Sequence, residues 1–282
     1  MNDKEPSSAT GLIESIRTNE LTPTHILART DFLLGQVHAK QLRWSDAESV
    51  FRKLVGQTDD LSLKNKSRYW LAESLYRQDK FSQAGEIFAQ LQKQKIRELG
   101  SLRPWILLRS VQCSAKADKW QDAAALAQTA IKEFPNFSLV HEYQFYVARG
   151  LEADGVLNDA IESYEQVVNS PQGSSSETAA IAQWRIGEIR FHQEDYPAAI
   201  QAYHRVNSIY GYPKWRSAAL LQAGKCQEHL KNWKHAEKLY RQLLKSFPDN
   251  ELATDAQGRL TRLQSVAAKT TSDRTTNNHT TR

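Results

Sequence analysis

The side chains most able to do chemistry in this 282-residue chain are two cysteines, Cys113 and Cys226, and eight histidines. A thiol becomes a nucleophile when a neighbouring cation, base or helix N-terminus lowers its pKa. Both cysteines instead hold the same place relative to an alanine that recurs along the chain, ten residues before Ala123 and Ala236. They read as small packing residues, too few for a disulfide framework or a Cys-rich zinc domain. His229 and His235 flank one turn, and His192 stands near Glu194 and Asp195. A zinc site needs three or four converging ligands, so these read as solvated helix-end residues, and neither a metal nor a cofactor is expected. The chain carries no G-x-x-x-x-G-K-[ST] phosphate loop, no G-x-G-x-x-G turn, no H-E-x-x-H helix and no G-x-S-x-G elbow. No catalytic set emerges, and the expectation is a protein that is not an enzyme.

Composition narrows the class further. Lys and Arg total 37 against 32 Asp and Glu, a net charge of +5 spread over the whole length. A nucleic-acid binder concentrates its basic charge on one face or stripe, so RNA or DNA is disfavoured as a partner. Hydrophobic residues at 40% and charged residues at 24% describe a folded chain. Twelve glycines and eight prolines are little punctuation for this length, which favours helices joined by short turns. No run of about 18 apolar residues is present, so no membrane-spanning helix is expected. The opening MNDKEPSSATGL lacks the apolar core of a secretory signal. As written the chain is expected in the cytoplasm. A fragment, or a mis-assigned start, would open the periplasm or cell envelope.

The elements that position these residues repeat. A large side chain, an alanine three residues on and an aromatic four after that recur as Trp44, Ala47, Phe51; Phe81, Ala84, Phe88; Leu157, Ala160, Tyr164; Tyr196, Ala199, Tyr203; and Trp233, Ala236, Tyr240. Trp120, Ala123, Ala127 is a sixth instance without the second aromatic. The alanines are spaced by 37, 39, 37, 39 and 37 residues. Each unit reads as two helices: a longer apolar-periodic one such as Tyr69 to Tyr76, a turn, then the alanine helix. Ser45 and Glu48 have capping-box spacing. Pro197 suits a first helical turn, and Pro135, Pro171 and Pro248 fall where second helices must stop. Gly35, Gly187 and Gly224 lie twelve residues before their alanines. Glycine costs a helix about 1 kcal/mol against alanine, so a close approach across the helix pair is expected there.

Leu34-Gly35, Ala47 and Phe51 at one end, and Gly224, Ala236, Tyr240 and Pro248 at the other, resemble the tetratricopeptide repeat. The likeness covers roughly residues 22–265. The period is longer than the usual ~34, no first helix carries the early Trp in frame, and Val111 and Ala127 depart from the pattern, so repeat three is expected to pack least conventionally. The stretch from Tyr212-Pro213 to Leu263 is similar to arrays in bacterial envelope proteins, the Tol–Pal-associated repeat protein and the outer-membrane assembly lipoprotein. The resemblance implies an all-α solenoid of six helix-turn-helix repeats in a right-handed superhelix. The expected organisation is a mostly flexible extension over 1–21, the array over 22–268 with a capping helix at about 250–267, and a disordered polar tail over 269–282.

The same resemblance implies a partner groove lined by first helices, at positions 18, 15, 11, 8 and 7 before each motif alanine. Carried onto this sequence, the favoured contacts are Arg29 and Phe32 in repeat one, and Lys66, Tyr69, Tyr76 and Arg77 in repeat two. Trp105 and Lys116 follow in repeat three, Phe145 and Arg149 in repeat four, and Trp184 and Glu188 in repeat five. Aromatic and Arg anchors are what peptide-binding hot spots use. Charge at these positions is mainly basic in repeats one to three and mainly acidic in four to six. The chaperone-tail clamp of the family is not expected, because Phe32 and Gln36 stand where it needs Lys and Asn. The functional expectation is a non-enzymatic scaffold or adaptor holding a peptide or helix of another protein in the concave groove. The alternatives are an envelope assembly or division-coordination factor of the Tol–Pal or outer-membrane type, and an RNA-binding superhelix. Self-association through the aromatic faces is a further option.

Overall fold

The computed structural model describes residues 5–94 and 97–277, and among these the secondary structure is helical throughout. The chain packs as two compact units, Met1–Asp154 and Gly155–Arg282. In the first, α1 is Glu5–Thr18, followed by α2 (Thr24–Lys40), α3 (Trp44–Gln57), α4 (Leu61–Tyr76), α5 (Phe81–Lys93), a short 3-10 turn (Arg97–Leu102), α6 (Arg103–Lys116), α7 (Trp120–Glu133) and α8 (Val140–Ala153). The second holds α9 (Leu157–Val168), α10 (Glu177–His192), α11 (Tyr196–Ile209), α12 (Pro213–His229), α13 (Trp233–Ser246) and α14 (Ala253–Asn277).

The two helices of a pair have different burial patterns for a simple reason. A second helix such as α5 buries only one stripe, Ala84, Phe88 and Leu91, at the spacing of one helical face. A first helix is wedged between neighbours and is covered on more sides. Thus α4 buries Leu63, Asn65, Ser67 and Tyr69 as well as the run Leu71–Leu75, and it touches both α2 and α6. The motif alanines are fully buried, and each one donates its N–H to the carbonyl four residues earlier. The rings of Phe51, Phe88, Tyr203 and Tyr240 are also fully buried. Each contributes on the order of 2 kcal/mol through burial.

The turn between paired helices is the same device each time. Leu42, Asp79, Asp118, Glu194 and Lys231 have φ between 56 and 60°, and Gly155 has φ 76°. Each lies five residues before its alanine. Around Leu42 the N–H groups of Leu42 and Arg43 return to the carbonyls of Ala39 and His38 at 3.0 and 2.9 Å. This is the Schellman closure that stops a helix at a left-handed residue.

The close approach expected at the glycines is real, and its partner is the motif ring of the same repeat. A Cβ on Gly35 would fall 2.5 Å from Phe51 Cζ, and one on Gly187 2.5 Å from Tyr203 Cε1. Gly224 meets Tyr240 in the same way. Repeat three inverts this arrangement: Val111 and Ala127 are both fully buried in one cluster with Tyr143. The larger residue stands where repeats one, five and six have glycine and repeats two and four have Ala72 and Ala148, and the smaller one where the ring stands.

Three local expectations change. Ser45 and Glu48 form no capping box: α3 begins at Trp44 with no side-chain cap, and Glu48 bonds to Arg52, Gln78 and Lys80 instead. The segment expected as a flexible extension contains α1, which buries Ile13 and ties Arg17 to Asp31 at 2.8 Å. Finally, α14 starts after Asn250, whose side chain accepts from the Leu252 N–H at 2.9 Å. It continues to Asn277, through residues 269–277 that were expected to be a disordered tail; residues 278–282 lie outside the described residues.

Candidate partner-binding surface

First helices of neighbouring repeats are joined by buried polar groups. In the first unit Glu73 on α4 is 5% exposed, and Arg109 on α6 grips it with Nε and Nη2 at 2.7 and 2.8 Å. Arg77 adds Nε at 2.7 Å. Burial alone would raise the Glu73 carboxyl, but the hydrogen bonds and charges of Arg109 and Arg77 outweigh it and hold the group below its ordinary value. Arg109 also lies over the Tyr76 ring, 4.4 Å from its centroid. The second unit repeats the idea with neutral donors: the Tyr203 hydroxyl at 2.5 Å and Gln222 Nε2 at 2.8 Å both donate to Glu188 Oε1. Glu228 accepts from the Tyr240 hydroxyl and from Arg259 of α14. Arg109, Gln222 and Arg259 therefore do one job, in that each ties its helix to a carboxylate on the first helix of the preceding repeat.

A second recurring contact runs beside this one. The residue three before the motif alanine begins the second helix, and a first-helix side chain of the next repeat covers it. Arg77 lies 5.5 Å from the Trp44 ring centroid, Lys116 5.2 Å from Phe81, and Arg149 4.2 Å from Trp120. In the second unit the cover is an imidazole: His229 stacks on Tyr196 at 4.6 Å and 12°. Such cation–ring contacts contribute about 0.5–1 kcal/mol each where exposed.

These two networks decide what the expected groove residues do. Tyr76, Arg77 and Lys116 come together around Glu73, Arg109, Trp44 and Phe81, as parts of the repeat-to-repeat clasp. Arg149 stacks on Trp120 and also pairs with Glu152 at 2.7 Å. Tyr69 is a core residue, 8% exposed and edge-on to Phe88. Phe32 is half-buried with its edge on Phe51, and Phe145 meets Tyr146 at 5.5 Å. Trp184 packs on Trp215 at 5.6 Å, and its buried Nε1 has no acceptor among the described residues. Trp105 is 36% exposed with one edge against Phe137. Arg29 and Lys66 are exposed, and no ion pair engages them among the described residues.

Four residues that matter here stood outside the favoured set: Glu73, Arg109, Arg259 and Trp233. For two of them the sequence held a signal as a fixed offset: Arg109, like Gln222, lies fourteen residues before its alanine, and Glu73, like Glu188, lies eleven before. Burial pushes the thiols of Cys113 and Cys226 up to about 12, far from the range of a reactive thiolate. Among the described residues no helix is long and apolar enough to cross a membrane, and no group of three or more His, Cys, Asp or Glu is arranged to hold a metal ion.

Known proteins with this arrangement are repeat arrays. A solved structure of pilF from Pseudomonas aeruginosa superposes with TM-score 0.59 at 12% identity, over 82% of this chain and 97% of that one. The C-terminal part of a TPR repeat-containing protein from Cytophaga hutchinsonii gives 0.56 at 19% identity, over 71% of this chain and 73% of that one. The Cut9–Hcn1 hetero-tetramer of the APC/C gives 0.57 at 14%, over 92% of this chain and 46% of that one. At these identities the likeness concerns the fold alone. A search of curated protein sequences finds no match. Two tetratricopeptide repeat profiles match in sequence, one over residues 32–97 and 148–207 and the other over 218–250. With more than half of its length matched, and with the alanine frame, the buried rings and the paired helices in place, this chain belongs to the tetratricopeptide repeat family.

Proposed function

We propose that the chain is a non-enzymatic scaffold or adaptor that holds a peptide or helix of another protein against its first helices. Arrays of this family serve protein–protein interaction, and the coarse reading follows from membership. The finer reading is carried by one observation in the first unit. Eighteen residues before the motif alanine, three consecutive first helices present Arg29, Lys66 and Trp105, all exposed. The clasp residues Arg77 and Lys116 are engaged with rings of the neighbouring repeat, whereas Arg29 and Lys66 form no ion pair among the described residues. Two cations and an indole on successive helices suit a partner with acidic and apolar residues.

The test is an affinity pull-down from the source cells, read by mass spectrometry, with wild type beside a Lys66→Glu, Trp105→Ala double variant. Both side chains are exposed, so circular dichroism should show the same helix content for both. A protein recovered by wild type and lost by the variant is the expected result. Recovery of every partner by both chains would refute this placement of the surface.

A further inference from the structure

The clasp described above has one open end. Trp44, Phe81, Trp120 and Tyr196 each begin a second helix, and each is covered by Arg, Lys, Arg and His, respectively, from the following first helix. Trp233 holds the same position, three before Ala236. It is 46% exposed, and among the described residues no cation or ring lies over it.

The space in front of Trp233 is a cavity of about 470 Å³ lined also by Phe191, Gln222, Glu228, His229 and Arg259. Its own cations are neutralised locally: Arg259 lies 3.2 Å from Glu228 and 3.1 Å from Asp255, and Lys225, a further lining residue, lies 3.7 Å from Asp255. Gln222 gives its amide N–H to Glu188. An uncovered indole face, at the position where other repeats carry a ring under an Arg or Lys, suits a group that carries positive charge.

We infer that Trp233 and this cavity receive a basic side chain, arginine or lysine, from a peptide segment of a partner protein. The incoming cation takes the place on Trp233 that Arg77 takes on Trp44 and Arg149 on Trp120. Arginine fits better than lysine, because a planar, more weakly hydrated guanidinium can stack on the indole face. The inference rests on the peptide-binding reading above and adds a residue class and a place in the second unit.

The experiment is selection of random dodecapeptides displayed on phage against the full-length chain, followed by affinity measurement on three proteins: wild type, Trp233→Phe and Trp233→Leu. Trp233 is exposed, so the variants should keep wild-type helix content and melting. The expected result is enrichment of Arg or Lys at one peptide position. Affinity should fall a few-fold with Trp233→Phe, which keeps a weaker π face, and about tenfold or more with Trp233→Leu, which keeps only the apolar surface. Selected peptides without a basic position, or basic peptides that bind Trp233→Leu as well as wild type, would overturn this assignment and leave the general peptide-binding reading standing. Failure to select any peptide would overturn both.

Discussion

The exchange of small and large residues in repeat three predicts a coupling that a double-mutant cycle can measure in repeat one. Phe51 is fully buried, with its edge and face against Phe32 and Trp70. Phe51→Ala removes six ring carbons, and a buried Phe→Ala costs about 3–5 kcal/mol. Gly35→Val puts a Cβ 2.5 Å from Phe51 Cζ and 2.8 Å from Cε1. Overpacking of that kind costs about 1–3 kcal/mol, offset by a few tenths of a kcal/mol of helix propensity. If the two changes were independent, the double variant would lose about 6 kcal/mol. In the double variant, however, the clash disappears with the ring, and three valine carbons refill about half of the void. The expected loss is about 2–3 kcal/mol, so the double variant is more stable than Phe51→Ala alone, with a favourable coupling of about 3 kcal/mol. The assay is urea unfolding by far-UV circular dichroism, paired with hydrogen exchange of α2 and α3, because an array can open in parts. A double variant at or below the additive sum would refute the reasoning that Val111 and Ala127 replace a glycine–ring pair.

Two further outcomes are expected. Glu48 is held to about 2 by Lys80, Arg52 and Gln78 against the raising effect of its burial, and Glu73 is lowered by Arg109 and Arg77 against its own burial. Both folded values lie below the ordinary 4.5, so the stability they supply is complete above that pH and is lost as pH falls through the folded values. The gap in melting temperature between wild type and a Glu48→Gln, Glu73→Gln variant should therefore close between pH 4.5 and about 2; a constant gap would refute the assignment. Leu42 has φ 59° and is 73% exposed, a left-handed conformation that costs a non-glycine residue about 1 kcal/mol. Leu42→Gly should raise the urea midpoint by a corresponding amount, whereas a lowered midpoint would show that the turn is held by contacts of the leucine itself.

The parts of this fold legible in the sequence are those at a fixed offset from the alanine. The ring four residues on, the glycine twelve before and the turn between them could be read because one repeat predicts the next. What escaped is contact between repeats. Glu48 had the spacing of a cap, yet it bonds to Lys80 and Gln78, 32 and 30 residues away. Arg77 and Lys116 had the exposure pattern of ligand-facing cations, but whether such a residue faces water or a ring depends on a second helix 33 to 35 residues earlier. Tyr69 had the position of a groove residue, and the crowding that buries it against Phe88 belongs to packing rather than to position. Arg259 became visible only with Glu228 and Asp255 in place, because no motif alanine follows it to set an offset.

The turn built on a left-handed residue also sets the tolerance of the chain to changes in length. Within a pair the helices are joined by residues such as 41–43, 117–119, 193–195 and 230–232, nearly constant in number. Between pairs the joins vary from 210–212 to 169–176. One extra residue between paired helices would turn the second helix by about 100° and take its alanine and ring out of phase with the glycine that receives them. The alternation of 37- and 39-residue spacings therefore falls outside the inner turn, in the first helices, which run from 14 to 17 residues, and in the joins between pairs, which act as slip joints. Growth, splicing or an inserted tag is accommodated in a segment such as 171–175, and the inner turn works as the timing gear that keeps each new pair in mesh.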